Sequence, residues 1–104
     1  MPKDPLGTSI AIAISHYGFL KTKADLCNLP FAGSFKMQLL SEVAQSPRVN
    51  IIEVERQMDT QAMLARGRSV QECKPDDVKF WLDAYLKEIS RIGDRIRTEG
   101  RSLD

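Results

Sequence analysis

Residues 75–100 read PDDVKFWLDAYLKEISRIGDRIRTEG, and this stretch decides the fold. Pro75 suits a first helical turn, where its missing amide hydrogen has no intrahelical acceptor to serve. Asp76 and Asp77 then set negative charge against the positive end of the helix dipole. From there Val78, Leu82, Tyr85, Ile89, Ile92 and Ile96 recur at steps of 4, 3, 4, 3 and 4, a heptad-like seam. Trp81 and Leu86 widen the seam, while Lys79, Asp83, Lys87, Glu88, Arg91 and Arg95 fall elsewhere. Gly100 lies just past the expected end. The pattern predicts a long C-terminal helix whose apolar face needs cover.

Upstream, the punctuation divides the chain into shorter helices. Thr8 or Ser9 can cap an element over 10–17, and Gly18 would close it. Ile10, Ile12 and Ile14 alternate with alanines as a strand would, but the alanines and the lack of a second convincing strand favour a helix. Thr22 with Asp25 has the form of a capping box and predicts a short helix through Asn28, stopped by Pro30. Gly33 and Ser34 open a helix over 35–45, which Pro47 ends. Asn50 with Glu53 repeats the capping signature, and Ile51, Val54, Met58, Ala62 and Ala65 form a stripe that Gly67 would terminate. The expectation is an all-α protein: one helical domain over 1–104, a compact bundle of four to five helices with frayed tails at 1–7 and 100–104.

Composition narrows the function. Fifteen Lys and Arg against 14 Asp and Glu leave a net charge of +1, without the basic excess that phosphate backbones require. No apolar run is long enough to span a membrane, and 10–14 is too brief for a signal-peptide core. Cys27 and Cys73 form no CxxC, so two free thiols in a reducing, cytoplasmic setting are expected.

Catalytic groups are sparse. His16 is the only histidine, no serine sits in a nucleophile elbow, and nothing in the spacing favours a His16 pair with Cys27 or Cys73. Those three residues are too isolated for structural zinc, whose ligands arrive in close pairs. The six glycines are dispersed as punctuation rather than gathered in a phosphate loop. Asp76 and Asp77 are explained by the helix start. No cofactor and no metal are therefore expected, and no enzyme activity.

Two binding readings remain. The segment 22–45 has the outline of a helix-turn-helix, but its second helix offers only Lys36, Gln38, Ser41 and Glu42 as polar contacts. Basic clusters at Arg66, Arg68 and Lys74, and at Arg91, Arg95, Arg97 and Arg101, keep a DNA- or RNA-binding regulator as the alternative. A protein partner fits better. The loop residues Leu29, Pro30 and Phe31 are apolar beside turn formers, and Trp81 and Tyr85 lie on or beside the seam. That seam spans about 27 Å at 1.5 Å per residue, so its distal Ile92 and Ile96 are expected to outrun their cover. Gly93 would admit another helix. The expected contact residues are Phe31, Arg66, Arg68, Trp81, Tyr85, Ile92 and Ile96, facing a protein partner or a second copy. The type, a short helical protein without catalytic groups, is similar to accessory proteins of phages and plasmids that dock onto a host machine. It implies a non-enzymatic modulator with no membrane role.

Overall fold

The computed structural model describes residues 5–29, 32–68 and 72–102, with side chains at 5–29, 34–67 and 72–98. Four helices follow one another: α1 over Pro5–Leu26, α2 over Ala32–Val43, α3 over Ile51–Arg68 and α4 over Pro75–Ser102. No strand occurs among the described residues, and no described helix is long and apolar enough to cross a membrane.

Helix α1 is the centre of the bundle, and it is one helix of 22 residues where the sequence predicts two shorter ones. Gly18 does not break it, because no described glycine has a positive φ. The glycine serves packing instead. A Cβ built there would sit 2.8 Å from the backbone oxygen of Gln61, so hydrogen at this position lets α3 lie directly against α1. Thr22 likewise caps nothing: its Oγ1 donates back to the Gly18 carbonyl at 2.9 Å inside the helix. The helix ends where Asn28 turns left-handed at φ 56°. There Asn28 N donates to Asp25 O and Leu29 N to Ala24 O, each at 3.0 Å, a Schellman closure.

The other termini follow local chemistry. Asn50 caps α3 as expected, its Oδ1 accepting from Glu53 N at 3.1 Å. Arg56 and Gln57 hydrogen-bond the Glu53 carboxylate and hold it below its ordinary carboxylate range. Gly67 is not a cap, since α3 runs through Arg68. Pro75 opens α4, which continues for 28 residues.

Packing places α4 antiparallel to α1. Ser9 meets Arg95, Tyr17 lies 6.0 Å from Tyr85, Phe19 lies 4.8 Å from Trp81, and Lys23 lies 3.7 Å from Asp77. On the opposite side α3 runs parallel to α1, with Ile14 near Gln57 and Gly18 against Gln61. Helices α3 and α4 do not pack on each other among the described residues, so α1 is sandwiched between them. Helix α2 lies across one side of this layer. Lys36 reaches Asp59 of α3 at 2.6 Å, and the Phe35 carbonyl accepts from the Tyr85 hydroxyl of α4 at 2.5 Å.

The seam of α4 is largely core. Val78, Tyr85 and Ile92 are buried with Leu6, Ile10, Tyr17 and Leu20 of α1, Phe35 and Leu39 of α2, and Val54 and Met58 of α3. Leu82, Ile89 and Ile96 pack against that cluster as half-buried residues. The expected surplus disappears because an unbroken α1, about 33 Å long at 1.5 Å per residue, matches the seam along its whole length. Gly93 receives the carboxylate of Glu42 from α2 instead of a foreign helix.

The cysteines overturn a further expectation. Cys27 and Cys73 are joined by a disulfide across Cα atoms 4.8 Å apart, tying the end of α1 to the approach to α4. Distance in sequence hid the pairing, because the two elements meet only in the folded chain.

Candidate interaction surface

The residues expected at an interface are scattered by the fold. Tyr85 and Ile92 are wholly buried, and Ile96 packs on the core. Phe31 and the side chain of Arg68 lie outside the described residues. Arg66 is exposed at a groove between α1 and α3, beside Lys21, Asp25 and Asp59, where acids balance bases. Among the described residues of that set, Arg66 and Trp81 remain at the surface, and Trp81 is the one joined to other large apolar side chains there. The helix-turn-helix outline also dissolves, because Thr22 belongs to the last turn and a half of α1 and opens no helix of its own.

Trp81 is the hub of a ring cluster. Phe19 of α1 stacks on it at 4.8 Å with an interplanar angle of 18°, and His16 stands 5.6 Å away. Phe80 meets it edge-on at 5.1 Å. Such offset and edge-to-face arrangements stabilise the rings beyond their area alone. Phe19, His16 and Trp81 are half-buried, but Phe80 is 63% exposed and holds a large apolar surface in water.

This cluster sits at one end of a groove along the α1–α4 seam. At 100° per residue, Trp81, Glu88 and Arg95 fall on one flank of the Tyr85–Ile92 core stripe, and Gly93, which meets α2, falls on the other. The groove is therefore the flank that α2 leaves open. Its first section, about 280 Å³, lies among His16, Phe80, Ala84, Lys87 and Glu88. A second, about 410 Å³, shares Glu88 and Arg91 with it and continues past Ile12, Ser9 and Thr8 to Arg95. A third of about 410 Å³ adjoins at Pro5, Arg91 and Arg95. Ile12 adds apolar floor, at 39% exposure.

The groove's charges are arranged by burial. Glu88 is sealed, its side chain 3% exposed, and the Arg91 guanidinium closes over it at 2.7 Å. Arg95 is steadied by its Nε donating to the buried Ser9 hydroxyl at 2.9 Å. Lys87 is exposed and has no carboxylate partner among the described residues. Asp94, at the far mouth, is engaged by the Arg97 guanidinium. The surface that a visitor meets past Phe80 is thus Asp83 followed by Lys87, Arg91 and Arg95, spaced four apart on one helix.

Both thiols that could pair with His16 are consumed in the disulfide, and the Nδ1 of His16 is buried with no hydrogen-bond partner among the described residues. Asp77, one of the paired carboxylates, is engaged by Lys23. Phe19, Ile12 and Phe80 were missed from the sequence, although one signal was present. Ser9, Ile12, His16, Phe19 and Lys23 recur at steps of 3, 4, 3 and 4, a second stripe on α1 beside its core stripe. No protein-family model, no curated protein and no solved structure matches this chain.

Proposed function

We propose that this chain is a non-enzymatic helical accessory protein that binds another protein through the open α1–α4 groove and modulates it by occupying a site. The observation that carries this reading is Phe80, 63% exposed on a cluster with Trp81, Phe19 and His16. A phenyl ring with that much of its surface in water gains about 1–2 kcal/mol when a partner buries the remainder, and aromatic anchors of this kind dominate interface energetics. The role resembles that of phage- or plasmid-type factors that act on a host complex.

The test is substitution of Phe80 by serine. Phe80→Ser removes a mostly exposed ring and one edge-on contact with Trp81, so the chain stays folded and the loss in stability is limited to about 0.5–1.5 kcal/mol. A protein that co-purifies with the tagged wild-type chain from its native host is lost from the variant. A partner retained by Phe80→Ser removes this surface from the account, as does a wild-type chain that captures nothing.

The compartment belongs to the same proposal. The cytoplasmic expectation followed from 10–14 being too brief for a signal-peptide core, with two free thiols expected alongside it, whereas a disulfide persists more readily in an oxidising compartment. Rapid alkylation of the chain in its native host should find both cysteines blocked; labelling of both returns the protein to the cytosol.

A further inference from the structure

We infer that the segment seated in the α1–α4 groove is acidic: a stretch of partner chain with one large apolar residue against Phe80 and Trp81, and carboxylates running on toward Arg95. This rests on the docking role proposed above and adds the chemistry of the partner. The rings are confined to one end of the groove. Its first section is lined by His16, Phe80 and Ala84 together with Asp83, Lys87, Glu88 and Arg91, and its far section by Thr8, Ser9 and Ile12 beneath Arg91 and Arg95.

Burial and pairing decide the sign of the groove. Formally Lys87, Arg91 and Arg95 face Asp83, Glu88 and Asp94, a balance. Glu88, however, is withdrawn from solvent and already holds one Arg91 nitrogen at 2.7 Å, which leaves the rest of that guanidinium and all of Lys87 facing outward. Arg95 donates only its Nε to Ser9, so its two terminal nitrogens remain for an acceptor. A guanidinium fixed through Nε presents those nitrogens as a fork that a carboxylate matches in two hydrogen bonds. Asp94 is exposed at the far mouth but is already held by the Arg97 guanidinium. Among the described residues of the groove, a basic segment would therefore set its cations against Lys87, Arg91 and Arg95, with Asp83 the one exposed acid not held by an arginine.

Size agrees. From Phe80 to Arg95 the groove runs about 22 Å at 1.5 Å per residue, which four turns of helix would fill. Helix α2 shows that the other flank of this same layer accepts a helix of 12 residues.

The experiment is selection from a displayed library of random 16-residue peptides lacking tryptophan, against the intact oxidised protein. Trp81, the only tryptophan, reports binding through its emission. Enriched peptides are expected to carry net negative charge and a large apolar residue, and to shift Trp81 emission. They should bind about ten-fold more weakly to Lys87→Glu, and progressively more weakly as salt shortens the Debye length from about 10 Å toward 3 Å. Lys87→Glu changes an exposed side chain with no carboxylate partner among the described residues, so a melting temperature equal to wild type separates lost contact from lost fold.

The outcomes sort the two claims. Enriched peptides that are neutral or basic yet abolished by Phe80→Ser overturn the acidic partner and leave the docking surface standing. Peptides indifferent to Phe80→Ser, or no enrichment at all, remove both. Self-association of the wild type that Phe80→Ser abolishes assigns the groove to a second copy and overturns the acidic segment.

Discussion

Replacing Gly18 by alanine puts a methyl group where α1 and α3 leave no space for one. The added carbon would lie 2.8 Å from the Gln61 oxygen, 2.9 Å from its carbonyl carbon and 3.2 Å from its Cβ, where ordinary contact begins at 3.4 Å. The helices must separate by 3.4 − 2.8, or 0.6 Å, at their tightest point. Two effects oppose each other. Alanine is a better interior helix former than glycine by about 1 kcal/mol, while an extra carbon in a filled interface costs about 1–3 kcal/mol. Here the obstructing atoms are mostly backbone in the middle of α3 and cannot swing aside, so the cost lies in the upper part of that range. Gly18→Ala should lose about 1–2 kcal/mol, or roughly 5–15 °C in melting temperature for a chain of this length. Gly93→Ala is the control with the opposite sign. Its obstacle is the Glu42 carboxylate tip on a flexible side chain, with Arg97 Nη1 beyond at 3.4 Å. That tip can rotate away, and most of the 1 kcal/mol or so of helix preference remains as a gain. Urea titration followed by Trp81 emission, with equal slopes required of all three proteins, measures both changes. A Gly18→Ala protein as stable as wild type, or a Gly93→Ala protein equally weakened, would refute the close-approach account of these glycines.

Two further perturbations probe the same architecture. Cys73→Ser opens a loop closed across 46 residues, and chain entropy alone sets the loss at about 4 kcal/mol; a urea midpoint equal to that of the oxidised wild type would show that the disulfide adds nothing to the fold. Alkaline pH should unfold the protein through its tyrosines. Burial, with help from Asp59, Asp25 and Glu55, raises the Tyr17 hydroxyl from 10.0 to about 12, and Tyr85 is pushed up further still. The neutral phenol is the form the fold keeps, so its contribution is full below pH 10 and is lost as pH rises through 12. Over those two pH units Tyr17 alone withdraws about 2.7 kcal/mol. Both tyrosines of the chain are buried, so tyrosinate absorbance should rise together with unfolding; a tyrosinate signal at pH 10–11 from a still-folded protein would contradict the packing.

Much of the fold was written locally. The Asn50–Glu53 cap, the Pro75 start and the 4-3-4-3-4 recurrence on α4 each follow from chemistry within a few residues, and each holds. What failed was non-local. Gly18 reads as a stop because glycine ends helices by turning left-handed, and nothing within ten residues reveals that Gln61 will press against it. Thr22 and Asp25 satisfy a capping pattern whose physical requirement, unpaired amides at a helix start, is absent inside a continuous helix. The pairing of Cys27 with Cys73 depends on α1 and α4 running antiparallel, which the spacing of the cysteines does not encode.

One misreading generated the other. Dividing α1 at Gly18 left only short helices to cover the α4 seam, so Ile92 and Ile96 looked like surplus apolar surface and the expected interface was drawn around them. A 22-residue α1 removes that surplus and moves the question to the flank of the seam. There the deciding quantity is lateral rather than longitudinal. Helix α2, with 12 residues, lies over only one side of a layer whose other side carries a groove somewhat longer than that helix. Trp81 therefore belongs to the proposed interface for a reason different from the one its heptad position suggested. It does not extend the core beyond the bundle; it turns the edge of the core toward an unoccupied side, with Phe19 beneath it and Phe80 outside it. The same asymmetry explains why Tyr85, one turn farther along α4, lies outside the proposed interface: it is buried, and its hydroxyl is committed to Phe35 on the flank that α2 already fills.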